Sequence, residues 1–236
     1  MPKKAKTYIA LVIVSGAAVL LLAAGSWPSS GPQQFVIYLG LAALASTLKI
    51  RIPGMEATMS PNFVFLLLGM AACRFSEVVV ISLAAALVQS FWAAAKRPRL
   101  VQVAFSSAAL ILSTAAAYEL SHLLLTGNGG ESPVPLVLLA GSLYFPLNSA
   151  LVSIVIGLVD GQPLSQVTRR CYEWVFRHFM GGIIFAGLIS SAYSPSTAWR
   201  GALVLLPAVV LAFFYYRHRI ARAGRLGRLQ PPAQGA

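Results

Sequence analysis

Along the chain, long apolar runs alternate with short stretches where Lys, Arg and turn-forming residues gather. Residues 7–24 form the first run, long enough to cross a bilayer if helical, since about 17–25 apolar residues suffice. Further runs cover residues 35–48, 58–73, 78–95, 100–125, 135–159, 181–192 and 201–216. The pattern predicts an all-α, polytopic transmembrane bundle of about eight spans, or six if residues 58–95 form a re-entrant hairpin. Residues 164–179 differ in kind. Leu164, Val167, Cys171, Trp174, Val175 and Phe179 share one helical face, and Gln166, Arg169, Arg170, Glu173 and Arg177 share the other. That is the pattern of an amphipathic helix lying in the cytoplasmic interface, distinct from the span that follows.

Composition supports the membrane reading. Of the 236 residues 58% are hydrophobic and only 10% charged, against about 25% charged in soluble domains. A net charge of +12 raises nucleic acid as a partner, but the charge lies in clusters between apolar runs and not on a soluble basic face, so nucleic-acid binding is not expected. In the eight-span layout all but Arg74 and Arg200 of the 18 Lys and Arg fall on one side. The positive-inside rule makes that side cytoplasmic and puts both termini there, as expected for a multi-pass protein of the cell's inner (plasma) membrane. Trp27, Trp92, Trp174 and Trp199 fall near the proposed interfaces. The chain divides into a membrane domain, 1–218, and a basic tail, 219–236, expected to be disordered. A cleaved signal peptide at the first run is disfavoured, because its apolar part exceeds the usual 7–15 residues.

The polar residues inside or beside the runs are the candidates for chemistry. The stretch LKIRIPGMEATMSPNFVFLLLGM (48–70) breaks the hydrophobic monotony with Lys49, Arg51, a Pro53-Gly54 turn, Glu56 and Asn62. Polar groups at the mouth of a span are costly unless solvated, paired or used. Ligand-binding candidates are Glu56, Asn62, Gln89, Glu119, His122 and Asn148. Glu119 and His122 share a helix face and are placed to relay protons, yet Glu119 also lies close enough to the outer end to reach the headgroups. Gln89 and Asn148 read equally as lining of a polar pocket or as hydrogen-bond glue between helices. Arg169, Arg170, Arg177, Arg217, Arg219 and Arg222 are candidates for contact with anionic lipid headgroups. Cys73 and Cys171 fall on opposite sides, which argues against a disulfide. The three histidines lack ligand spacing, so neither a metal site nor a cofactor is expected. No GxxxxGK[ST], HExxH or GxSxG motif occurs, and no catalytic residue is assigned.

The opening stretch, followed by SEVVVISLAAALVQSFW (76–92), resembles the membrane-associated sensor modules that precede GGDEF cyclases and HD-type phosphodiesterases of cyclic-di-GMP signalling in bacteria. The shared features are a basic-Pro-Gly turn, a Ser-x-Asn-Phe helix start and an acidic-start helix ending Val-Gln-x-x-Trp. The resemblance covers residues 48–92 most closely and brings no catalytic residue. It implies a non-enzymatic membrane sensor or scaffold that takes a small or lipid-soluble ligand. Only a short tail follows the last run, so signalling is expected to pass to a separate cytoplasmic partner. Membrane lipids are expected partners, and homo-oligomerisation stays open. The alternative is a substrate-binding subunit of a small-molecule transporter, with Gln89, Asn148 and Glu119 converging on one cavity. A lipid-processing enzyme using Glu119 and His122 ranks last.

Overall fold

A computed structural model describes residues 1–27, 32–51, 58–94, 97–126, 133–194 and 197–229. Its elements in order are α1 (Lys3–Gly25), α2 (Pro32–Thr47), β1 (Ile50–Arg51), β2 (Thr58–Met59), α3 (Asn62–Ala72), α4 (Phe75–Phe91), α5 (Leu100–Thr126), α6 (Pro133–Asp160), α7 (Leu164–Ala192) and α8 (Ala198–Leu229). The fold is the expected all-α bundle. Its one addition is a minimal antiparallel ladder, with Ile50 opposite Met59 and Arg51 opposite Thr58. The ladder pairs residues 50–51 with 58–59 just before α3. The helix then begins at Asn62, later than the apolar run suggests, because Pro61 takes the N-cap position and a proline fits a helix only at its start.

Four helices contain stretches long and apolar enough to cross a membrane: Lys3–Gly25, Leu100–Leu125, Pro133–Asp160 and Ala198–Tyr215. Shorter apolar stretches are Gln33–Thr47, Asn62–Ala72, Phe75–Phe91 and His178–Ala192. Together they match the eight runs of the sequence. With 11 residues, however, α3 is only about 16 Å long, about half of a ~30 Å hydrocarbon core. The re-entrant alternative rests on that shortness.

Side-chain contacts fix which ends lie together. The Tyr8 hydroxyl donates to the Leu151 carbonyl at 3.1 Å, and Tyr8 and Phe105 rings lie 6.2 Å apart, which joins the starts of α1 and α5 to the later half of α6. Lys49 Nζ donates to the Trp92 carbonyl, which joins the ends of α2 and α4. These contacts put Lys3, Lys4, Lys6, Lys49, Arg97 and Arg99 at one end of the bundle. At the other end, the Ser76 hydroxyl reaches the Ser26 carbonyl at 3.5 Å and Phe75 packs edge-on to Tyr118 at 5.6 Å. There the Arg74 N–H donates to Glu77 Oε2 at 2.9 Å, so Glu77 caps α4, as a glutamate at the third helical position does.

The helices form two joined groups. One has α5 packed between α1, α4 and α6; the other has α3 enclosed by α2, α4, α6, α7 and α8. Close approach depends on small residues, the usual device where lipid tails offer no hydrophobic drive. Ala42, Ala45 and Ser46 of α2 are fully buried. A Cβ on Gly16 of α1 would lie 2.6 Å from that of Ala108 in α5. By contrast, Leu11, Val14, Leu21 and Leu22 of α1 are exposed, an apolar outer surface suited to lipid.

The separate interfacial helix expected at residues 164–179 is corrected. It and the run at 181–192 are one continuous helix, α7. Two adjacent glycines, 181 and 182, look like a break in sequence because each disfavours helix by about 1 kcal/mol. Here Gly182 faces α3, where a Cβ would lie 2.3 Å from the Phe63 ring, so the missing side chain serves packing. Likewise α6 runs through Pro146 and α8 through Pro207. The α8 backbone also crosses the compositional boundary at 218/219 without interruption.

Candidate functional site

The sequence-derived candidates separate into two ends and one unseen loop. Glu56 lies outside the described residues, as do the side chains of Arg170, Arg177, Arg219 and Arg222. Arg169 and Arg217 are exposed. Asn62 and Gln89 do come together. Asn62 Nδ2 donates to Ser46 Oγ at 3.0 Å and to Gln89 Oε1 at 3.5 Å, while the Ser46 hydroxyl donates to the Ala42 carbonyl at 2.8 Å. With Asn62 only 4% exposed, this network ties the start of α3 to the ends of α2 and α4. The geometry is that of interhelical glue. Beside it, partial burial holds the Lys49 ammonium below its usual pKa by desolvation.

Glu119 and His122 are elsewhere. Tyr118, next to Glu119, touches Phe75 at the start of α4, whereas Gln89 lies fourteen residues further along that helix, about 21 Å by helical rise. Glu119 is exposed. His122 stacks on Tyr118 with ring centroids 4.0 Å apart, and its Nδ1 lies 2.8 Å from the Tyr118 carbonyl. Asn148 is half-buried on α6, a helix joined to α4 through both α3 and α5. Glu119 therefore does not converge with Gln89 on one cavity. Among the described residues no group of three or more His, Cys, Asp or Glu could hold a metal ion.

A different site emerges on the other side of α3. Pro61, Phe63 and Val64 at its start, Gly181, Gly182 and His178 of α7, and one face of α8 enclose a cavity of about 150 Å³. Its floor is the tightly packed seam between α3 and α7. Phe63, 1% exposed, stacks on Phe179 at 4.1 Å and meets His178 edge-on at 5.4 Å. The α8 wall is Leu205, Val209 and Phe213. These belong to a buried stripe that begins at Ala198 and Ala202, one helical face at three- or four-residue spacing. The mouth opens outward between α7 and α8, past Ala208, Ala212 and Phe185; Phe185 is 54% exposed. Among the described residues, the mouth thus lies on the apolar flank of the bundle.

None of the sequence-derived candidates whose side chains are described lines this cavity. Its marks were present: His178 directly before Met180-Gly181-Gly182, flanked by Phe176 and Phe179. A lone histidine on an apolar helix face is more readily explained by packing, and the glycine pair looked like a boundary. The neighbour of the cavity was legible, because Asn62 occupies the same helix start as Phe63 and Val64.

No curated protein and no solved structure matches the chain. A family model does, over residues 8–217 and so across every element from α1 into α8. On that match, together with the apolar helices that build the bundle, the chain is a membrane protein belonging to the MASE9 family of membrane-associated sensor-type domains.

Proposed function

We propose that this protein senses a bilayer-soluble molecule in the α3–α7–α8 crevice and reports it through α8. The observation that carries the reading is the cavity of about 150 Å³ opening on the apolar flank, since a ligand reaching it must travel in the membrane. A ligand shifts a conformational equilibrium only by its differential affinity for the two states. Here an occupant would press the lightly held wall, α8, against a fixed floor. Pro207 lies in that wall and leaves the Leu203 carbonyl without its helical partner, a point where helices bend.

In this reading the lysine- and arginine-bearing end is cytoplasmic, in a bacterial inner membrane, by the positive-inside rule. The arginines that continue α8, with Arg169 on α7, engage anionic headgroups there at about 1 kcal/mol each. A cytoplasmic protein partner reads the displacement of α8. Nothing in the bundle favours the transporter alternative, whose polar residues lie at opposite ends.

The test uses spin labels at Ile184 of α7 and Leu211 of α8, both exposed, in a cysteine-replaced background. Pulsed distance measurements compare nanodiscs of synthetic phosphatidylcholine with nanodiscs containing an extract of the native membrane. A distance distribution that shifts with the extract, and stops shifting in Ala212→Trp, is expected. One invariant distribution under both conditions would sink the reading.

A further inference from the structure

We infer that the protein binds a divalent cation of the zinc type at the Arg74 end of the bundle, between Cys73, Glu77 and Tyr38. The site joins α2, α3 and α4 and is independent of the crevice.

Glu77 is a carboxylate with too few partners. It is only 8% exposed, and its only hydrogen bond among the described residues comes from the Arg74 backbone N–H. No cationic side chain among them pairs with it. The Arg74 side chain is exposed, and Arg200, the other cation expected at this end, lies over the Trp199 ring at 5.3 Å. Segments 28–31, 127–132 and 195–196 contain no Lys or Arg. Buried charges are paired or coordinate metals, so the missing partner is a cation from outside the chain. Tyr38 has the matching deficit. It is wholly buried, and its hydroxyl has no hydrogen-bond partner among the described residues. A helical side chain leans toward the N-terminus of its helix, which carries this hydroxyl along α2 toward the Arg74 end. Cys73 stands between the two. It is a free thiol, 8% exposed, in one core cluster with Tyr38, and close enough to both Tyr38 and Glu77 to interact electrostatically. Three helices thus bring a thiol, a carboxylate and a phenol together.

The donor set selects the ion. A thiolate favours zinc-like and softer ions, whereas Mg²⁺ and Ca²⁺ take oxygen ligands. The phenol stands where a third His, Cys, Asp or Glu is usual. Charge selects the valence. Thiolate and carboxylate carry one negative charge each, so a divalent ion leaves the site neutral, and a monovalent ion leaves a net charge in apolar surroundings. Binding releases the Cys73 thiol proton to water. The Tyr38 hydroxyl keeps its proton and donates to the thiolate, which supplies the acceptor. Water completes the coordination, as in open zinc sites, through the small exposure that Cys73 and Glu77 retain. The ion then ties the later end of α3 to α2 and α4, as the Asn62 network ties its start.

The experiment titrates Co²⁺, a spectroscopic substitute for Zn²⁺, into the untagged full chain in phosphatidylcholine nanodiscs, with Cys171→Ser removing the second thiol. One cobalt per chain is expected, with a thiolate-to-cobalt charge-transfer band in the near ultraviolet that zinc abolishes by displacement. Cys73→Ser should remove the band. Tyr38→Phe, which deletes only the hydroxyl, should weaken zinc about tenfold. Glu77→Gln, whose amide oxygen can still cap α4, should weaken zinc more than Tyr38→Phe does. Where Glu77→Gln fails to fold, Tyr38→Phe decides alone. Cobalt bound without the band would mark surface ligands such as Glu119 and His122 and overturn the assignment. So would absence of binding by the folded protein, a band that persists in Cys73→Ser, or zinc affinity unchanged in Tyr38→Phe and Glu77→Gln.

Discussion

α3 and α8 face each other across the cavity and are built from the same apolar alphabet, yet they hold opposite positions in the protein. The first nine residues of α3, 62–70, are all buried. It has no outward face, so it has no lipid-facing stripe. α8 buries a single stripe, Ala198, Ala202, Leu205, Val209 and Phe213, while Leu203, Val204, Leu211, Phe214 and Tyr215 are exposed. In water such exposed side chains would be a liability; in a bilayer they are neutral, because lipid tails are as apolar as leucine. What separates the helices is therefore not hydrophobicity but the number of neighbours whose positions each one fixes. The short helix is enclosed by five others, and the long one lies at the periphery.

Substitutions can break or sharpen this contrast. The largest effect is expected from Phe63→Ala, which empties the stack on Phe179 and should lower stability by about 3 kcal/mol, read from reversible unfolding in mixed micelles. If it proves as mild as a truncation on α8, the contrast fails. Gly182→Val drives a side chain into the Phe63 ring and should destabilise by about 1–3 kcal/mol in the same assay, with full recovery of stability counting against the packed seam. Asn62→Ala removes the donor that joins Ser46 and Gln89. A loss of about 1 kcal/mol is expected, and a double-mutant cycle with Gln89→Leu should show coupling near 0.6 kcal/mol. Strict additivity would mean that the 3.5 Å contact contributes nothing. Smallest is Leu211→Ala on the exposed side of α8, expected to change stability by less than about 0.5 kcal/mol; a larger effect would reveal a neighbour on that face.

In the proposed reading, the same contrast sets how a ligand at this place would be reported. One end of α3 is held twice, by the Asn62 network toward α2 and α4 and by the Phe63 stack toward α7. Displacement of the cavity floor would have to disturb both, whereas displacement of α8 disturbs one stripe beside Pro207.

Much of this architecture was written in the chain. Eight apolar runs and the spacing of the basic clusters announced the helices and which ends lie together, because run length and charge placement are local properties that a bilayer reads directly. The polar character of Asn62 and Gln89 was equally visible. Their partnership was not, since it depends on where α2, α3 and α4 cross. The continuity of α7 and the cavity were decided by tertiary contact alone. Gly181-Gly182 is a helix breaker by propensity and a packing notch only once Phe63 arrives from over a hundred residues earlier. His178 is one more core histidine until α8 stands off from it and leaves space. A cavity is a property of what neighbours fail to fill, and that difference between surfaces is absent from any single stretch of sequence.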